Sequence, residues 1–403
     1  MEYKIFESSD ANVKKFVFEW GASGVTKKGI AEAVLYRYNS YAERTVICCS
    51  VQSGCPVGCT FCGTGKFFIR NLEAHEIVEQ VVTVLNSIDC CTNEIKKFQI
   101  MFMSMGEPFL NFANLEEAIE RLYEMYPNAQ LLVSTSAPAS IYKHMSEFVE
   151  LSKRIPKVGL QFSVHESTDS ARAKLIPTKT STLRQIAAAG EFWAANVGRK
   201  PFFNYCVHEG NARLVDIDNL QETFNLDVWE VTLSVICEKD ESVHSSIQRQ
   251  LKLIESFNKK MISRGFSTRV FNPAGQDDIG GGCGQLWYFQ DWNLVEQIES
   301  SILRARILIT CETMKTPELR ELVTTKQALE SIYEGFKYFV VKIDTLYEAL
   351  DNSELEEFFH ILDIYNEYRK DCQDKEPSRY WVINREEVPK IETFEQFKSK
   401  LQK

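Results

Sequence analysis

Three cysteines in one short loop constrain this chain more than any other feature. Cys55, Cys59 and Cys62 stand at the spacing C-x3-C-x2-C, a few residues after an apolar, strand-like run at 45–47. Three thiolates on one loop can bind three corners of a cubane iron–sulfur cluster, and the fourth iron then stays open to another ligand. The spacing therefore predicts a 4Fe–4S cluster at this loop.

A zinc knuckle and thiols scattered through the core are the alternatives for these cysteines. A structural zinc site needs a fourth ligand, usually from a second cysteine pair or a histidine. The neighbouring sequence contains no second C-x2-C and no H-x3-H. The spacing favours the cluster over both alternatives.

Length, charge and cysteine content narrow the class of protein. The chain has 403 residues, enough for one large domain with an appendage or for two ordinary domains. No apolar run reaches the roughly 18 residues of a membrane span, and the N-terminus does not resemble a signal peptide, so we expect a cytoplasmic protein with no membrane partner. Twelve cysteines then indicate metal or redox chemistry rather than a disulfide scaffold. A net charge of −10 disfavours nucleic-acid binding without excluding it.

After the cysteine loop, apolar strand patterns alternate with amphipathic helix patterns. The predicted strands are 97–105, 130–136, 158–164, 201–208, 228–236 and 267–272, and the predicted helices are 73–86, 114–125, 140–153, 182–195, 216–224 and 245–263. Such alternation predicts parallel strands joined by crossover helices. Six or seven units are fewer than a closed barrel has, so we predict an α/β fold with an open (βα)6-type partial barrel and its site at the carboxyl ends of the strands.

The ends of the chain have different patterns. Alternating apolar and polar residues predict a short N-terminal β extension at 1–43, ahead of a partial barrel at 44–290. Residues 291–403 have helical patterns and form a predicted C-terminal helical appendage. Because the appendage carries no chemical signature, we interpret it as a packing or partner surface.

Polar residues end several of the predicted strands. Gly106 and Glu107 follow the predicted strand 97–105 and could offer backbone groups and a carboxylate to an ammonium ligand, although a surface turn would have the same sequence. Ser134 lies at the end of the predicted strand 130–136, and Ser163-Val164-His165 lies at the end of the predicted strand 158–164. Ligand contacts in a barrel lie at such strand ends. A structural role for His165 stays open as an alternative.

A second cysteine motif follows the barrel pattern, with three consecutive glycines immediately before Cys283. Three glycines have no value for core packing, because they lack side chains and are costly to order. They are suited to a backbone that brings Cys283 into a crowded site. The alternative is a glycine-rich surface loop with an incidental thiol.

Together these motifs resemble the RlmN and Cfr class of radical-SAM RNA methyltransferases over about residues 8–290. The motifs are C-x6-C-x3-C-x2-C beginning at Cys48, M-x-x-GEP-x-x-N, S-T-S, S-x-H and D-D-I-x-x-x-C-G-Q-L. The resemblance implies a radical-SAM partial barrel whose cofactors are a 4Fe–4S cluster and S-adenosylmethionine (SAM). It assigns the cluster to Cys55, Cys59 and Cys62, and SAM contacts to Gly106, Glu107, Ser134, Ser163, Val164 and His165.

The resemblance also implies the chemistry, methylation of an adenosine carbon, C2 or C8, in ribosomal or transfer RNA. Cys283 would carry the methyl group, Cys48 would resolve the crosslink to the base by forming a disulfide, and Glu32 would be the general base. An exposed carboxylate is the alternative for Glu32. An electron donor such as flavodoxin or ferredoxin would reduce the cluster.

Four features depart from the family pattern. The N-terminal RNA-binding domain is missing, Cys237 replaces an asparagine that contacts the cofactor, the run before D-D-I lacks arginine, and the appendage is long. These departures leave two alternatives open, a radical-SAM enzyme with a nucleotide, DNA or peptide substrate, and a non-catalytic iron–sulfur protein. If RNA is the substrate, the candidates for phosphate contacts are Lys66, Arg70, Lys174, Lys179 and Arg264, with solvated surface charge as their alternative.

Overall fold

The computed structural model describes residues 1–21, 29–235, 243–271, 279–282 and 286. The chain divides into two compact units, Met1–Phe289 and Gln290–Lys403. All described residues belong to the first unit. The predicted helical appendage lies outside the described residues and stays a prediction.

One ten-stranded sheet organises the described part of the first unit. Its strands are β1 (Glu2–Glu7), β2 (Val13–Trp20), β3 (Gly29–Tyr38), β4 (Ser40–Cys49), β7 (Lys97–Phe102), β8 (Gln130–Thr135), β9 (Val158–Ser163), β10 (Phe202–Val207), β11 (Glu230–Val235) and β12 (Thr268–Phe271). The spatial order is β1-β2-β3-β4-β7-β8-β9-β10-β11-β12. Strands β1 to β4 pair antiparallel, whereas β4 and all later strands of this sheet pair parallel. The predicted partial barrel with N-terminal strands is thereby confirmed.

Helices form the crossovers between the parallel strands. They are α1 (Ala74–Leu85), α2 (Phe112–Met125), α3 (Met145–Arg154), α4 (Asp169–Leu175), α5 (Leu183–Val197), α6 (Leu214–Thr223) and α7 (Val243–Ser263). Helix α5 shows why such segments begin and end where they do. Thr182 and Gln185 form a capping box at its start, and Gly198 ends it in the left-handed conformation. None of the described helices combines the length and apolar character that a membrane span requires.

A small hairpin carries the cysteine loop. Strands β5 (Gln52–Gly54) and β6 (Phe68–Asn71) pair antiparallel, and the loop with the three cysteines connects them. The side chain of Gln52 accepts a hydrogen bond from the backbone N–H of Glu107 over 2.8 Å. The hairpin therefore fixes the loop above the end of β7, where the predicted site lies.

The predicted strands and long helices agree with the structure to within a few residues. The β5–β6 hairpin and the short helix α4 have no counterpart in the prediction, whereas β1 lies within the predicted β extension. Strands of three or four residues and a helix of two turns are too short for a clear periodic pattern. The predicted helix 140–153 begins as a 3-10 turn at Ile141–Lys143, and its regular part starts at Met145.

Candidate active site

A cavity of about 140 Å³ lies at the carboxyl ends of the parallel strands. Its wall contains cysteines of the loop, polar residues after β7, β8 and β9, and one cysteine of β4. The predicted site residues that line it are Cys48, Cys55, Cys59, Cys62, Gly106, Glu107, Ser134, Ser163 and His165. Val164 and Glu32 are fully buried outside this wall. Parallel strands bring these residues together because their carboxyl ends meet at one edge of the sheet.

Hydrogen bonds at two points hold the cysteine loop in place. The backbone N–H of Cys55 donates to the carbonyl oxygen of Phe67 over 2.7 Å, which closes the loop at the hairpin. The backbone N–H of Thr60 donates to the carbonyl oxygen of Leu175 over 3.0 Å, which ties the loop to the end of α4. The loop is therefore fixed by both the hairpin and a crossover helix.

The thiols of this loop suit the predicted cluster by their chemistry. No group of three ligating side chains in the described ranges converges on one metal position. The three cysteines nevertheless line one cavity, and three sulfur donors correspond to three corners of a 4Fe–4S cluster. Burial raises the pKa of Cys55 to about 12 and raises the pKa of Cys59. Binding iron would therefore release protons from these thiols.

Glu107 is a buried carboxylate at the end of β7 whose acceptor sites are used within the chain. Its Oε1 accepts hydrogen bonds from the Thr135 hydroxyl over 2.6 Å and from the Phe109 N–H over 3.1 Å. Its Oε2 accepts from both the backbone N–H and the hydroxyl of Ser136, each over 2.7 Å. Burial raises the pKa of Glu107, and these hydrogen bonds oppose that rise. The carboxylate thus joins the ends of β7 and β8 beside the cavity.

His165 is held in one orientation at the end of β9. Its φ of 61° is uncommon for a residue other than glycine. Its Nδ1 accepts a hydrogen bond from the N–H of Cys206 over 3.3 Å, which leaves the proton of the neutral ring on Nε2. The ring also contacts Phe61 of the cysteine loop edge-on, with 5.4 Å between centroids. Burial lowers the pKa of His165 to about 3, so the imidazole is neutral at physiological pH.

Cys283 itself lies outside the described residues, but residues on both sides of it reach the cavity. Gly282 precedes it directly, and both Gly282 and Leu286 line the cavity. The Thr64 hydroxyl of the cysteine loop donates to the carbonyl oxygen of Leu286 over 3.4 Å. Gly282, the residue that directly precedes Cys283 in the sequence, is therefore part of the cavity wall.

The N-terminal strands contact the glycines before Cys283. The Tyr36 hydroxyl on β3 donates to the carbonyl oxygen of Gly281 over 2.5 Å. The Lys15 ammonium on β2 donates to the carbonyl oxygen of Gly280 over 3.5 Å and lies 3.5 Å from Oε2 of Glu32. Both Lys15 and Glu32 are completely buried. The alternative of an exposed carboxylate at Glu32 is therefore wrong, because β2 and the packed sheet cover it.

Curated relatives of this chain match it over much of its length. No family model matches it. The probable dual-specificity RNA methyltransferase RlmN of Koribacter versatilis is 32% identical over 256 residues, which cover 60% of this chain and 69% of that protein. A protein of the same name from Deinococcus deserti is 30% identical and covers 71% of this chain and 80% of its own length. This chain belongs to the RlmN family. The resemblance predicted from the motifs is thereby confirmed.

A solved structure supports the same conclusion for this RlmN family member. The crystal structure of a radical SAM methyltransferase from Sphaerobacter thermophilus superposes with a TM-score of 0.54 at 27% sequence identity. The match covers 70% of this chain and 79% of that structure. The radical-SAM fold predicted from the cysteine loop therefore agrees with both sequence and structure comparisons.

The structure adds several residues that sequence reasoning missed in this family member. Ser136, Asn204 and Tyr36 line the cavity. Asn204 also accepts hydrogen bonds at its carbonyl oxygen from the N–H groups of Val164 and His165, over 3.0 and 3.1 Å. A polar residue inside the apolar strand β10 was the available signal for Asn204. Cys237, the residue predicted to replace a cofactor contact, lies outside the described residues.

Two of the five candidates for phosphate contacts form ion pairs with acidic neighbours. Arg70 forms two 2.7 Å hydrogen bonds with the carboxylate of Glu76, and Arg264 pairs with Asp218 over 2.8 Å. Lys174 and Lys179 are exposed, and the side chain of Lys66 lies outside the described set. The two arginines are therefore engaged by acidic neighbours, and the structure leaves their role in RNA binding a prediction.

Replacing Gly106 with alanine is expected to distort the cavity. Its φ is +99°, and a Cβ there would lie 2.6 Å from Cβ of Gln52. Backbone strain alone should cost about 1–3 kcal/mol, and the clash adds to it. Gly198→Ala is the matched control, because its φ is +75° but no atom lies within 4 Å of an added Cβ. Thermal unfolding and SAM-binding titrations should show weaker binding for Gly106→Ala alone, and equal SAM affinity in both variants would contradict this.

Replacing Lys15 with methionine is expected to destabilise the fold strongly. The change removes the Lys15 ammonium from a buried ion pair with the Glu32 carboxylate, which typically costs about 3–5 kcal/mol. The neighbouring Lys14→Met removes an exposed pair with Glu7, which should cost about 0–1 kcal/mol. Denaturant unfolding of the two variants measures the difference. Equal losses would mean that the Lys15–Glu32 pair contributes no more than a surface contact.

Proposed function

We propose that this chain methylates C2 or C8 of an adenosine in RNA, using SAM and a 4Fe–4S cluster, with the methyl group carried on Cys283. The observation that carries the proposal is one cavity lined by Cys48, by the three loop cysteines and by Gly282, which directly precedes Cys283. This chemistry requires two cysteines that are distant in sequence. One of them, Cys48, lines the same cavity as Gly282, the direct neighbour of the other. Membership of the RlmN family supports RNA as the substrate.

The thiolate of Cys283 would first take a methyl group from SAM by nucleophilic displacement. Direct transfer to the base is not available, because the amidine carbon of adenine is electrophilic and does not attack a sulfonium methyl. When bound, the cluster would supply the electron that splits a second SAM, giving a radical that takes hydrogen from the methyl group on sulfur. The sulfur-bound carbon radical would then add to the base carbon, and loss of the odd electron of the adduct to the oxidised cluster would leave Cys283 crosslinked to the RNA.

Two further residues would complete the reaction. A carboxylate, for which Glu32 is the proposed residue, removes the ring proton. The Cys48 thiolate attacks the sulfur of Cys283, so that a disulfide forms and the methylated base leaves. Cys48 lies on β4 opposite Val34 of β3, two residues beyond Glu32 along that strand. Strand side chains alternate faces, so Glu32, Val34 and Cys48 point to one side of the sheet.

The remaining predicted site residues would bind and orient the cofactors. Cys55, Cys59 and Cys62 would hold the cluster, and Gly106, Glu107, Ser134, Ser163, Val164 and His165 would shape the SAM site. Glu107 would attract the SAM ammonium by charge, since its oxygens already accept four hydrogen bonds. A flavodoxin- or ferredoxin-type protein would deliver electrons, and a cytoplasmic location belongs to the same proposal.

Nucleoside mass spectrometry of RNA from cells with and without the gene tests this function. A methyladenosine that is lost with the gene and restored by the wild-type chain, but not by Cys283→Ala, is the expected result. The purified protein should also carry a methyl group on Cys283 when isolated with SAM. An active preparation whose Cys283 is unmodified would reject the mechanism.

A second candidate function keeps the radical chemistry and changes the substrate to a nucleotide, DNA or peptide. It is favoured by the net charge of −10 and by the acidic partners of Arg70 and Arg264. Unchanged RNA, together with release of 5′-deoxyadenosine on reduction, would support it. Absence of 5′-deoxyadenosine release would instead favour a non-catalytic iron–sulfur protein.

A further inference from the structure

Arg172 on α4 is a buried cation whose hydrogen-bond partners are all neutral. Its guanidinium donates to the hydroxyl of Thr180 over 2.6 Å and to the carbonyl oxygens of Ser181, Ser136 and Ser163 over 3.2, 2.6 and 2.8 Å. The residue is 2% exposed. Within the described ranges no carboxylate lies within salt-bridge distance of it, and its Nε has no hydrogen-bond partner.

A buried charge is costly unless an opposite charge compensates it. Burial lowers the pKa of Arg172 to about 10, which still leaves the group charged at neutral pH. Asp169 and Glu107 act on it only at a distance, since Asp169 accepts from the N–H of Leu183 and Glu107 accepts from the neutral donors around β8. Within the described residues, the Arg172 guanidinium therefore has no directly bound anion to compensate its charge.

The position of α4 indicates which anion would complete it. Besides the Thr60–Leu175 contact, the hydroxyl of Thr178 after α4 donates to the carbonyl oxygen of Val57 over 2.5 Å. The same segment thus holds the cysteine loop, while Arg172 holds the ends of β8 and β9. Ser136 and Ser163, whose carbonyl oxygens Arg172 binds, line the cavity together with Cys59.

We infer, on the basis of the proposed function, that Arg172 is a positioning residue whose fixed charge compensates the three-thiolate cluster and raises its reduction potential. Three thiolates make the cluster an anion, and reduction adds one electron from an external donor and hence a further negative charge. A cation held nearby in a poorly solvated region stabilises the reduced form more than the oxidised form. The same side chain fixes the two strand ends that carry Ser136 and Ser163.

The test is a redox titration of the reconstituted protein without SAM, followed by electron paramagnetic resonance of the reduced cluster. Arg172→Gln removes the charge, and Arg172→Lys keeps it, while both lose the planar fork of hydrogen bonds. At a fixed potential the ratio of reduced to oxidised cluster should fall about tenfold in Arg172→Gln, which is about 59 mV for one electron. Arg172→Lys should stay close to the wild type. Equal shifts in both variants, or no shift, would overturn the proposal.

Arg199 supplies the matched control at the other end of the same strand. Its guanidinium donates to the carbonyl oxygens of Pro156 and Val158, at the start of β9, and burial also lowers its pKa. Arg199→Gln should lower thermal stability and leave the reduction potential unchanged. A shift as large as that of Arg172→Gln would show that general loosening of the fold explains the effect.

A second pair of variants retains Arg172 and so avoids the loss of its hydrogen bonds. Thr180 is half-buried and accepts from the guanidinium, so Thr180→Asp would pair with it and neutralise its charge. Thr180→Asn is the uncharged control. The aspartate should lower the potential in the same direction as Arg172→Gln, and the asparagine should not. A shift seen only after SAM is added would assign Arg172 to the SAM carboxylate and overturn the role at the cluster.

These outcomes separate the inference from the proposed function. A wild-type chain that binds no cluster would contradict both the role of Arg172 and the proposed function. A normal cluster and a methylated Cys283, together with an unchanged potential in Arg172→Gln and Thr180→Asp, would remove only the role of Arg172.

Discussion

Replacing Cys48 with alanine is expected to stop turnover and to leave RNA covalently attached to Cys283. In the proposed mechanism the sulfur of Cys283 would keep its bond to the base carbon unless a second thiolate attacked it, and Cys48 is the cavity-lining thiol on β4. Removing a residue that acts as part of a catalytic unit costs several orders of magnitude in rate. Denaturing gels of protein incubated with RNA and SAM should show a shifted band, and mass spectrometry should locate the adduct on Cys283.

Cys49 is the matched control for that experiment. It neighbours Cys48, but side chains alternate along a strand, and its thiol donates to the carbonyl oxygen of Met101 in the core. Cys49→Ala should lose about 1–2 kcal/mol of stability through the small cavity it leaves, and it should release product normally. An RNA adduct in the Cys49 variant, or free product from the Cys48 variant, would refute the assigned roles.

Replacing Cys59 with alanine is expected to abolish the cluster and all radical chemistry. The loop then supplies two thiolates, and a 4Fe–4S cluster held at two corners is not retained. Iron and sulfide content should fall to background, and 5′-deoxyadenosine release on reduction should decrease by several orders of magnitude, as expected for residues that act as a unit. Because a buried thiol is removed, circular dichroism is needed to show that the variant folds.

Cys91 offers the corresponding control for cluster assembly. It is exposed in the loop between α1 and β7, away from the cavity wall. Cys91→Ser should keep the full iron content and the full yield of 5′-deoxyadenosine. A normal cluster in the Cys59 variant would assign the iron to different residues and would contradict the assignment of the loop.

Sequence patterns were sufficient for the barrel and for part of the wall of the cavity. Apolar runs such as Val158–Ser163 are buried on both faces, so their strand character is visible without tertiary information. The polar residues after these strands could be assigned because parallel strands end at one edge. The thiols at 55, 59 and 62 could be assigned because ligand spacing within one loop is a local property.

Residues that act through tertiary contacts could not be found in this way. Arg172 resembles any arginine of a short helix until the carbonyl oxygens of Ser136 and Ser163 are brought to it. Lys15 stands between Lys14 and Phe16 in its strand, and only packing against β3 shows that it is buried beside Glu32. Their roles depend on which strands become neighbours, and one-dimensional periodicity does not contain that information.

The contacts of Tyr36 and Lys15 with Gly281 and Gly280 have a consequence for biosynthesis. They join positions 245 and 265 residues apart, so they are among the most non-local contacts of the first unit. The sheet can begin to form while the chain is still emerging from the ribosome, but this wall of the cavity can close only after residue 281 has been released. The N-terminal strands are therefore available for folding well before this wall of the cavity can close.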